Sequence, residues 1–391
     1  MMTWLRDFSE LSPEQKKIVR MPLPGRCLVT GPPGSGKTQT LVHRAAYLIK
    51  NQKISPERIR LFVLNDILET MLRQEMKRID LPEKIVVLFD RWCRSFFLCH
   101  VSNDLPRIYV NGRIDDEKTR LGVLETLRRK KDLRGCISYA LVDDGEDLNP
   151  EAMEILHLAA ENITVTTALH QKSCKKTSSD SLADAALNLC KKNALLSRDF
   201  RSSIAIARLA SFFIENTNGR KEYLSQAHND QKEFPSSLFY MAPSEEKELD
   251  QLSRYIQLRQ VKEENIGILL PTNGLVHRLT KELEERGILL EKAIPMDAQN
   301  VIHTPYDFRN NTPKITTYHF AKGLSFDSVL MPFLTAKTLS DIPVDQRLRQ
   351  LFIGMVRASR WIYLSTVRGE ECEEIQLLKS AEKEGHLTIF R

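Results

Sequence analysis

Two groups of side chains in this sequence have the types and spacing to handle a phosphate chain. The run Leu28-Val29-Thr30-Gly31-Pro32-Pro33-Gly34-Ser35-Gly36-Lys37-Thr38 takes an apolar stretch into a glycine-rich loop and a Lys-Thr pair. Glycines at 31, 34 and 36 let the backbone wrap so that several N–H groups and a helix N-terminus face one anion. Lys37 would reach the β- and γ-phosphates, and the Thr38 hydroxyl would hold Mg²⁺. Further on, Tyr139-Ala140-Leu141-Val142 runs into Asp143 and Asp144. An acid at a strand tip beside the loop is what a second Mg²⁺ anchor needs, so Asp143 is the metal candidate and Asp144 the residue to polarise an attacking water. The chemistry implied is binding and hydrolysis of a nucleoside triphosphate.

These residues need a strand before the loop, a helix after it and a second strand to bring the acids alongside. Strand-like runs recur at Arg26–Thr30, Ile59–Leu64, Lys84–Leu88, Tyr139–Val142 and Asn162–Thr166. A second series follows at Ser237–Met241, Ile266–Leu270, Lys314–Tyr318, Ser328–Met331 and Trp361–Thr366. Helical patterns such as Pro150–Ala160, Ser202–Ile214, Ser244–Arg259 and Leu275–Arg286 separate them. Alternation of this kind predicts an α/β chain of two tandem units, each a mostly parallel sheet flanked by helices, with ligands at the carboxyl ends of the strands. The boundary is expected near residue 195. Polar stretches at 175–184 and 216–237 read as loops.

A length of 391 residues suits two domains, and 42% apolar with 28% charged residues is ordinary for a soluble globular protein. No apolar run is long enough to span a bilayer, and the first residues lack a signal-peptide core. The seven cysteines show no metal-type spacing and read as free thiols in a reducing cytoplasm. A net charge of +6 permits a polyanionic partner without demanding one.

Several further segments carry a family likeness. Leu11-Ser12-Pro13-Glu14-Gln15 resembles a Q motif, and the loop through Leu41-Val42-His43-Arg44 resembles a first helicase motif. Phe62-Val63-Leu64-Asn65 and Val87 to Cys93 are similar to nucleic-acid-facing segments, and Leu141 to Leu148 to a DEAQD-type motif. Leu196 to Ser203 resembles "NYRS", Ile315 to Asp327 resembles "TxHxAKGLEFD", and Leu351 to Arg360 resembles "LxYVAxTRAR". Together these resemble the UvrD/Rep-like family of superfamily 1 helicases over nearly the whole chain. The resemblance implies two RecA-like P-loop domains, near 1–193 and 194–391, with a small insertion at about 97–135. It implies ATP and Mg²⁺ as cofactors, with Gln15 reading adenine and Gly31, Pro32, Pro33, Gly34, Ser35, Gly36, Lys37, Thr38, Arg44 and Gly323 contributing to the nucleotide site. Gln171 and Arg201 would sense the γ-phosphate and Arg357 would be an arginine finger, the two arginines coming from the second domain. The implied activity is ATP-driven movement along single-stranded nucleic acid, with DNA as the expected partner.

Five positions depart from the family pattern. Asp144 stands where the family has glutamate, Glu146 where it has glutamine, Ala168 and Cys174 where it has an acid and a base-stacking aromatic, and Ser325 where it has glutamate. Losing a stacking platform weakens the hold on a single strand. The chain is also too short for large accessory modules. An alternative expectation is therefore a nucleotide-gated ATPase subunit, with little unwinding of its own, that regulates a protein partner such as a nuclease in a bacterial defence complex. Trp92 and His319 are expected as packing residues first.

Overall fold

The apolar runs are buried on both faces, and that fixes the sheet type: strands covered on both sides belong in parallel sheets between layers of helices. The computed structural model describes residues 4–22, 24–109, 112–168, 190, 192–227, 234–294, 307–308 and 310–391. The chain divides into two compact units. One is made of Leu5–Gly31 and Gly36–Ser197; the other is Arg198–Arg391 with Pro32–Ser35 and Trp4.

The first unit runs α1 (Pro13–Val19), β1 (Arg26–Thr30), α2 (Lys37–Lys50), β2 (Ile59–Val63), α3 (Asp66–Arg78), β3 (Val86–Leu88), α4 (Phe89–His100), α5 (Asp116–Arg129), β4 (Ile137–Val142), α6 (Pro150–Ala159), β5 (Ala160–Thr167) and β6 (Lys192–Leu195). Its six strands are parallel, in the order β3-β2-β4-β5-β1-β6. Strand β5 lies between the strand that leads into the glycine loop and the strand that ends in the acids. Its Thr166 pairs with Val29 on one side, and its Val165 with Val142 on the other. In this sheet the strand absent from the sequence expectation is β6, a largely exposed Lys-Asn-Ala-Leu edge paired among the described residues with β1. The short strands Glu291–Lys292 and Thr388–Phe390 of the second sheet are absent from it too. Polar residues on an edge discourage pairing with other chains and also erase the alternation that marks a strand. Because β6 completes this sheet, the first unit extends past residue 193, to Ser197.

The second unit contains α7 (Ile204–Ser211), α8 (Thr217–Gln226), β7 (Leu238–Ala242), α9 (Glu245–Val261), β8 (Ile266–Leu270), α10 (Asn273–Glu284), β9 (Glu291–Lys292), β10 (Lys314–Thr317), β11 (Phe326–Met331), α11 (Val344–Met355), β12 (Ala358–Val367), α12 (Ile375–Lys383) and β13 (Thr388–Phe390). Seven parallel strands lie in the order β13-β7-β12-β11-β8-β10-β9. Its core joins Leu252, Ile256, Ile268, Leu279 and Trp361. The Arg259 guanidinium lies 3.7 Å from the Trp361 ring centroid and pairs with Glu264 at 3.0 Å. That buried charge is thus both stacked and neutralised.

The stretch 216–237, expected as a loop, instead contains α8. Asn216 caps it by accepting the Gly219 N–H, and Tyr223 anchors it by full burial. The cap and one aromatic anchor outweigh the poor helix propensity of the segment. The expected loop at 175–184 lies outside the described residues.

Candidate functional site

Helix α2 begins at the end of the glycine loop. Gly34 and Gly36 both adopt φ +79°, a left-handed conformation that glycine reaches without strain. A Cβ on Gly34 would stand 2.7 Å from the Asp199 carboxyl carbon and 2.8 Å from Arg201 Cβ, so no larger residue fits. The Phe200 N–H donates to the Gly34 carbonyl at 3.1 Å. Pro32–Ser35 and the Arg198–Arg201 segment thus pack against each other within one unit.

In the other unit, Lys37 is buried and its Nζ donates to the Gly31 carbonyl at 3.0 Å, folding the ammonium back over the loop. The Thr38 hydroxyl donates to Asp143 Oδ2 at 2.6 Å. Sequence positions 105 apart are joined here because β4 delivers Asp143 beside the first turn of α2. Thr166, on the intervening strand β5, donates to Asp143 Oδ1 at 2.7 Å and accepts the Asp144 N–H at 3.3 Å. Burial pushes the Asp143 carboxyl up, against the hydrogen bonds from Thr38 and Thr166 and the Lys37 charge, and Glu146 adds to the rise. A carboxylate kept 1% exposed at such a cost gains from a cation beside it.

The pair fits Mg²⁺, which takes oxygen ligands, keeps several waters and is held by one or two protein groups plus substrate phosphates. Among the described residues no cluster of three His, Cys, Asp or Glu side chains could hold a metal. Thr38 and Asp143 are the oxygens available here. Thr166 was not expected; its only signal in the sequence is a hydroxyl at the carboxyl end of a strand-like run.

Asp144, half-buried, adopts φ +51°, a region that aspartate visits more readily than glutamate. The tight turn that follows packs Gly145 against Val165. The shorter acid therefore suits the backbone as built. The Glu146 carboxylate accepts the Ala168 N–H at 3.3 Å. Gln171 and Cys174 lie outside the described residues.

Gln15 is buried on α1, and a Cβ on Gly36 would collide with its side-chain amide. The Arg44 guanidinium, expected at the nucleotide site, donates to Thr164 Oγ1 and to the carbonyls of Ile18, Val19 and Met21, so it braces α1 from within the fold.

In the second unit three separate segments converge. Arg201 Nη1 donates to the carbonyl of Val356 at 3.3 Å, next to Arg357. Arg357, 5% exposed, donates from Nε to Ile353 at 3.0 Å and from Nη1 to Leu324 at 3.5 Å. Leu324 follows Gly323, whose φ of +85° closes the turn after β10.

Trp92 packs among Phe62, Phe89 and Phe96, with ring centroids 5.3 to 6.4 Å away, as a core residue does. His319 rests edge-on against Phe320. The six described cysteines are all free thiols. Within the basic run at 128–131, Arg128 pairs through two nitrogens with Glu154. No described helix is long and apolar enough to cross a membrane.

The family model of the UvrD/REP helicase N-terminal domain matches residues 11–318. Among solved structures, the C-terminal domain of a possible DNA helicase from Lactobacillus plantarum WCFS1 is 17% identical, with a TM-score of 0.36, covering 49% of this chain and 98% of that one. No curated protein matches the chain.

Proposed function

The chain belongs to the UvrD/REP helicase family, and from that premise we propose that it is an ATP-dependent translocase acting on single-stranded DNA. Two RecA-like domains, placed near 1–193 and 194–391 by sequence, would share the work. The observation that carries the reading is the 2.6 Å hydrogen bond from Thr38 to Asp143, with Lys37 at the same helix end.

When bound, Mg²⁺ would supply charge neutralisation at the triphosphate. Lys37 would donate to the phosphate oxygens, and Thr38 and Asp143 would hold the ion. Asp144 orients the attacking water and accepts its proton. Arg201 and Arg357, from the second domain, stabilise charge that grows as the phosphoryl group transfers. Gln15 reads the adenine. Release of those contacts after hydrolysis would let the two domains move and step along a strand bound to both.

Hydrolysis assays with and without single-stranded DNA test this reading. Strong stimulation by DNA is expected, and Lys37→Ala should abolish tight Mg·ATP binding because the phosphates lose their main positive contact. Normal binding and turnover in that variant would place the site elsewhere. A second reading, a nucleotide-gated subunit that signals to a protein partner, draws on Asp144 at φ +51° and on Glu146 engaged by Ala168. Turnover that ignores DNA and responds to a partner would favour it.

A further inference from the structure

Arg44 is 3% exposed and lies on α2 two turns beyond Lys37. Its Nη1 donates to the carbonyls of Ile18 at 3.0 Å, Val19 at 3.1 Å and Met21 at 3.3 Å, and its Nε donates to Thr164 Oγ1 at 3.1 Å. Those carbonyls stand at and just past the C-terminal end of α1, where a helix leaves its last carbonyls without intrahelical i+4 partners; the Ile18 carbonyl also accepts the Met21 N–H at 3.2 Å. Helix α1 has only seven residues, well below the roughly 12–15 at which an isolated helix becomes marginally stable in water. Its position must be imposed from outside.

At the N-terminal end of α1 a reciprocal cap locks Gln15 to the helix, while Glu14 accepts from Ser197 just past β6 and Ile18 packs on Cys27 and Val29 of β1. Ser12 Oγ accepts the Gln15 N–H at 3.2 Å, and Gln15 Oε1 accepts the Ser12 N–H at 2.8 Å. This reciprocal cap fixes the side chain relative to α1. The brace from Arg44 then ties α1 to the helix that carries Lys37 and Thr38, and through Thr164 to β5. Phosphate-binding and base-reading groups are thereby joined through one buried side chain, in addition to the packing of Ile18 and the Glu14–Ser197 contact.

We propose that Arg44 is a positioning residue for base selection: it holds Gln15 in register with the phosphate-binding end of α2 and touches no phosphate. This rests on the reading of Gln15 as the base reader. A phosphate ligand and a base-positioning brace differ in what they lose. Removing a phosphate ligand weakens every triphosphate alike, whereas removing the brace weakens only the discrimination among bases.

The test measures binding of Mg·ATP, Mg·CTP and Mg·tripolyphosphate to the full chain and to Gln15→Ala, Arg44→Gln, Arg44→Lys and Thr164→Val. Thermal melts verify folding. Gln15→Ala should erase the preference for ATP over CTP. Arg44→Gln should reduce that preference by about tenfold, the scale of one misplaced hydrogen bond, and leave tripolyphosphate binding unchanged. Arg44→Lys should restore part of the preference. Thr164→Val removes a single anchor by a near-isosteric change, so it keeps the test open should Arg44→Gln fold poorly; a smaller loss of preference is expected. Combined with Gln15→Ala, Arg44→Gln should cost no further selectivity. Tripolyphosphate binding that falls in step with ATP binding, or an unaltered ATP preference in folded Arg44 and Thr164 variants, overturns the inference alone. An unaltered preference in Gln15→Ala overturns the base-reading assignment and the inference with it.

Discussion

The Glu14 carboxylate accepts both the hydroxyl of Ser197, at 2.7 Å, and its N–H, at 2.9 Å. Glu14 neighbours Gln15 on α1, and Ser197 is the last residue of the first unit before the chain enters the second. A group beside the proposed base reader thus grips the chain where it leaves the first sheet.

Glu14→Gln keeps one accepting oxygen and loses the charge and the paired geometry. Hydrogen bonds to charged groups are the stronger kind, contributing about 1.5–3 kcal/mol. The variant is expected to bind Mg·ATP as the parent does and to lose about tenfold in DNA-stimulated kcat, a barrier increase of roughly 1.4 kcal/mol. Steady-state KM and kcat measured together check this. A raised KM at constant kcat would mean that the link only holds α1 in place.

Thr166 orients Asp143 through a 2.7 Å bond and has no other expected chemistry. Groups that orient a metal ligand typically influence affinity by about 10–100-fold. Thr166→Val should therefore raise the Mg²⁺ concentration needed for half-maximal hydrolysis on that scale, with the rate recovering at saturating metal. Titration of Mg²⁺ at fixed ATP measures it. An unchanged midpoint would remove Thr166 from the site.

Arg201 and Arg357 converge on the backbone of 324 and 353–356. Alanine at either position should spare most ground-state ATP binding and cut turnover by roughly 10³-fold or more, the scale of a lost arginine finger. Lysine should be a poor replacement because it lacks the planar fork of donors. Nucleotide binding and single-turnover hydrolysis separate the two effects. A large fall in ATP affinity with intact turnover would give these arginines a ground-state role instead.

Glu248 offers a test of stability by pH. Burial holds its carboxyl above the usual carboxylate range, against the nearby Ser365 hydroxyl and the Phe333 N–H, and Glu370 adds to the rise. Its Oε1 accepts that N–H at 2.8 Å, supporting Phe333 at φ +57°. A carboxyl with a higher pKa folded than unfolded loses its proton first in the unfolded chain. Its contribution to stability is therefore greatest at acid pH, declines as pH rises from the unfolded value to the folded one, and is flat above. Glu248→Gln keeps the acceptor and has no proton to lose. It should melt higher than the parent near neutrality, by about 2–4 °C for each kcal/mol, with the gap closing toward about pH 4. Melts across that range decide; a variant that melts lower at every pH would show that the ionised carboxylate stabilises the fold.

The sheets were legible because their strands are short apolar runs separated by helical periodicity, and parallel burial makes such runs continuous. Strand β6 was not, since an exposed edge may carry Lys192 and Asn193 without cost. Helix α8 was hidden for a related reason, its stability resting on the Asn216 cap and the burial of Tyr223 rather than on composition. At the site, Lys37, Thr38 and Asp143 follow from local pattern, because the loop and the strand tip each announce themselves. Thr166 and Glu14 do not. Their partners lie far off in sequence, and only the order of strands places β5 between β1 and β4, or Ser197 beside α1. Arg44 was legible as part of a motif but its bonds to α1 and Thr164 were not, because a cation near a phosphate loop gives no sequence signal of which backbone carbonyls it meets.

Strand separation is where the departures from the family pattern should matter most. Ala168 offers its N–H to Glu146 and no side chain to a substrate, Asp144 is one methylene shorter than glutamate, and the described residues at about 97–135 hold the end of α4, helix α5 and a short 3-10 turn. With Cys174 in place of an aromatic, these departures weaken different steps: base stacking, water activation and engagement of a duplex. A catalytic group misplaced by about 1 Å can cost on the order of 10²-fold in rate. The isolated chain is therefore expected to unwind duplexes poorly and to need a protein partner for its biological role. Single-strand binding should survive through Lys and Arg contacts and fall steeply with salt, as release of counterions requires. A tailed duplex at saturating ATP, with the purified chain alone, measures the outcome. Rapid, processive separation without any added protein would show that these substitutions leave the motor intact.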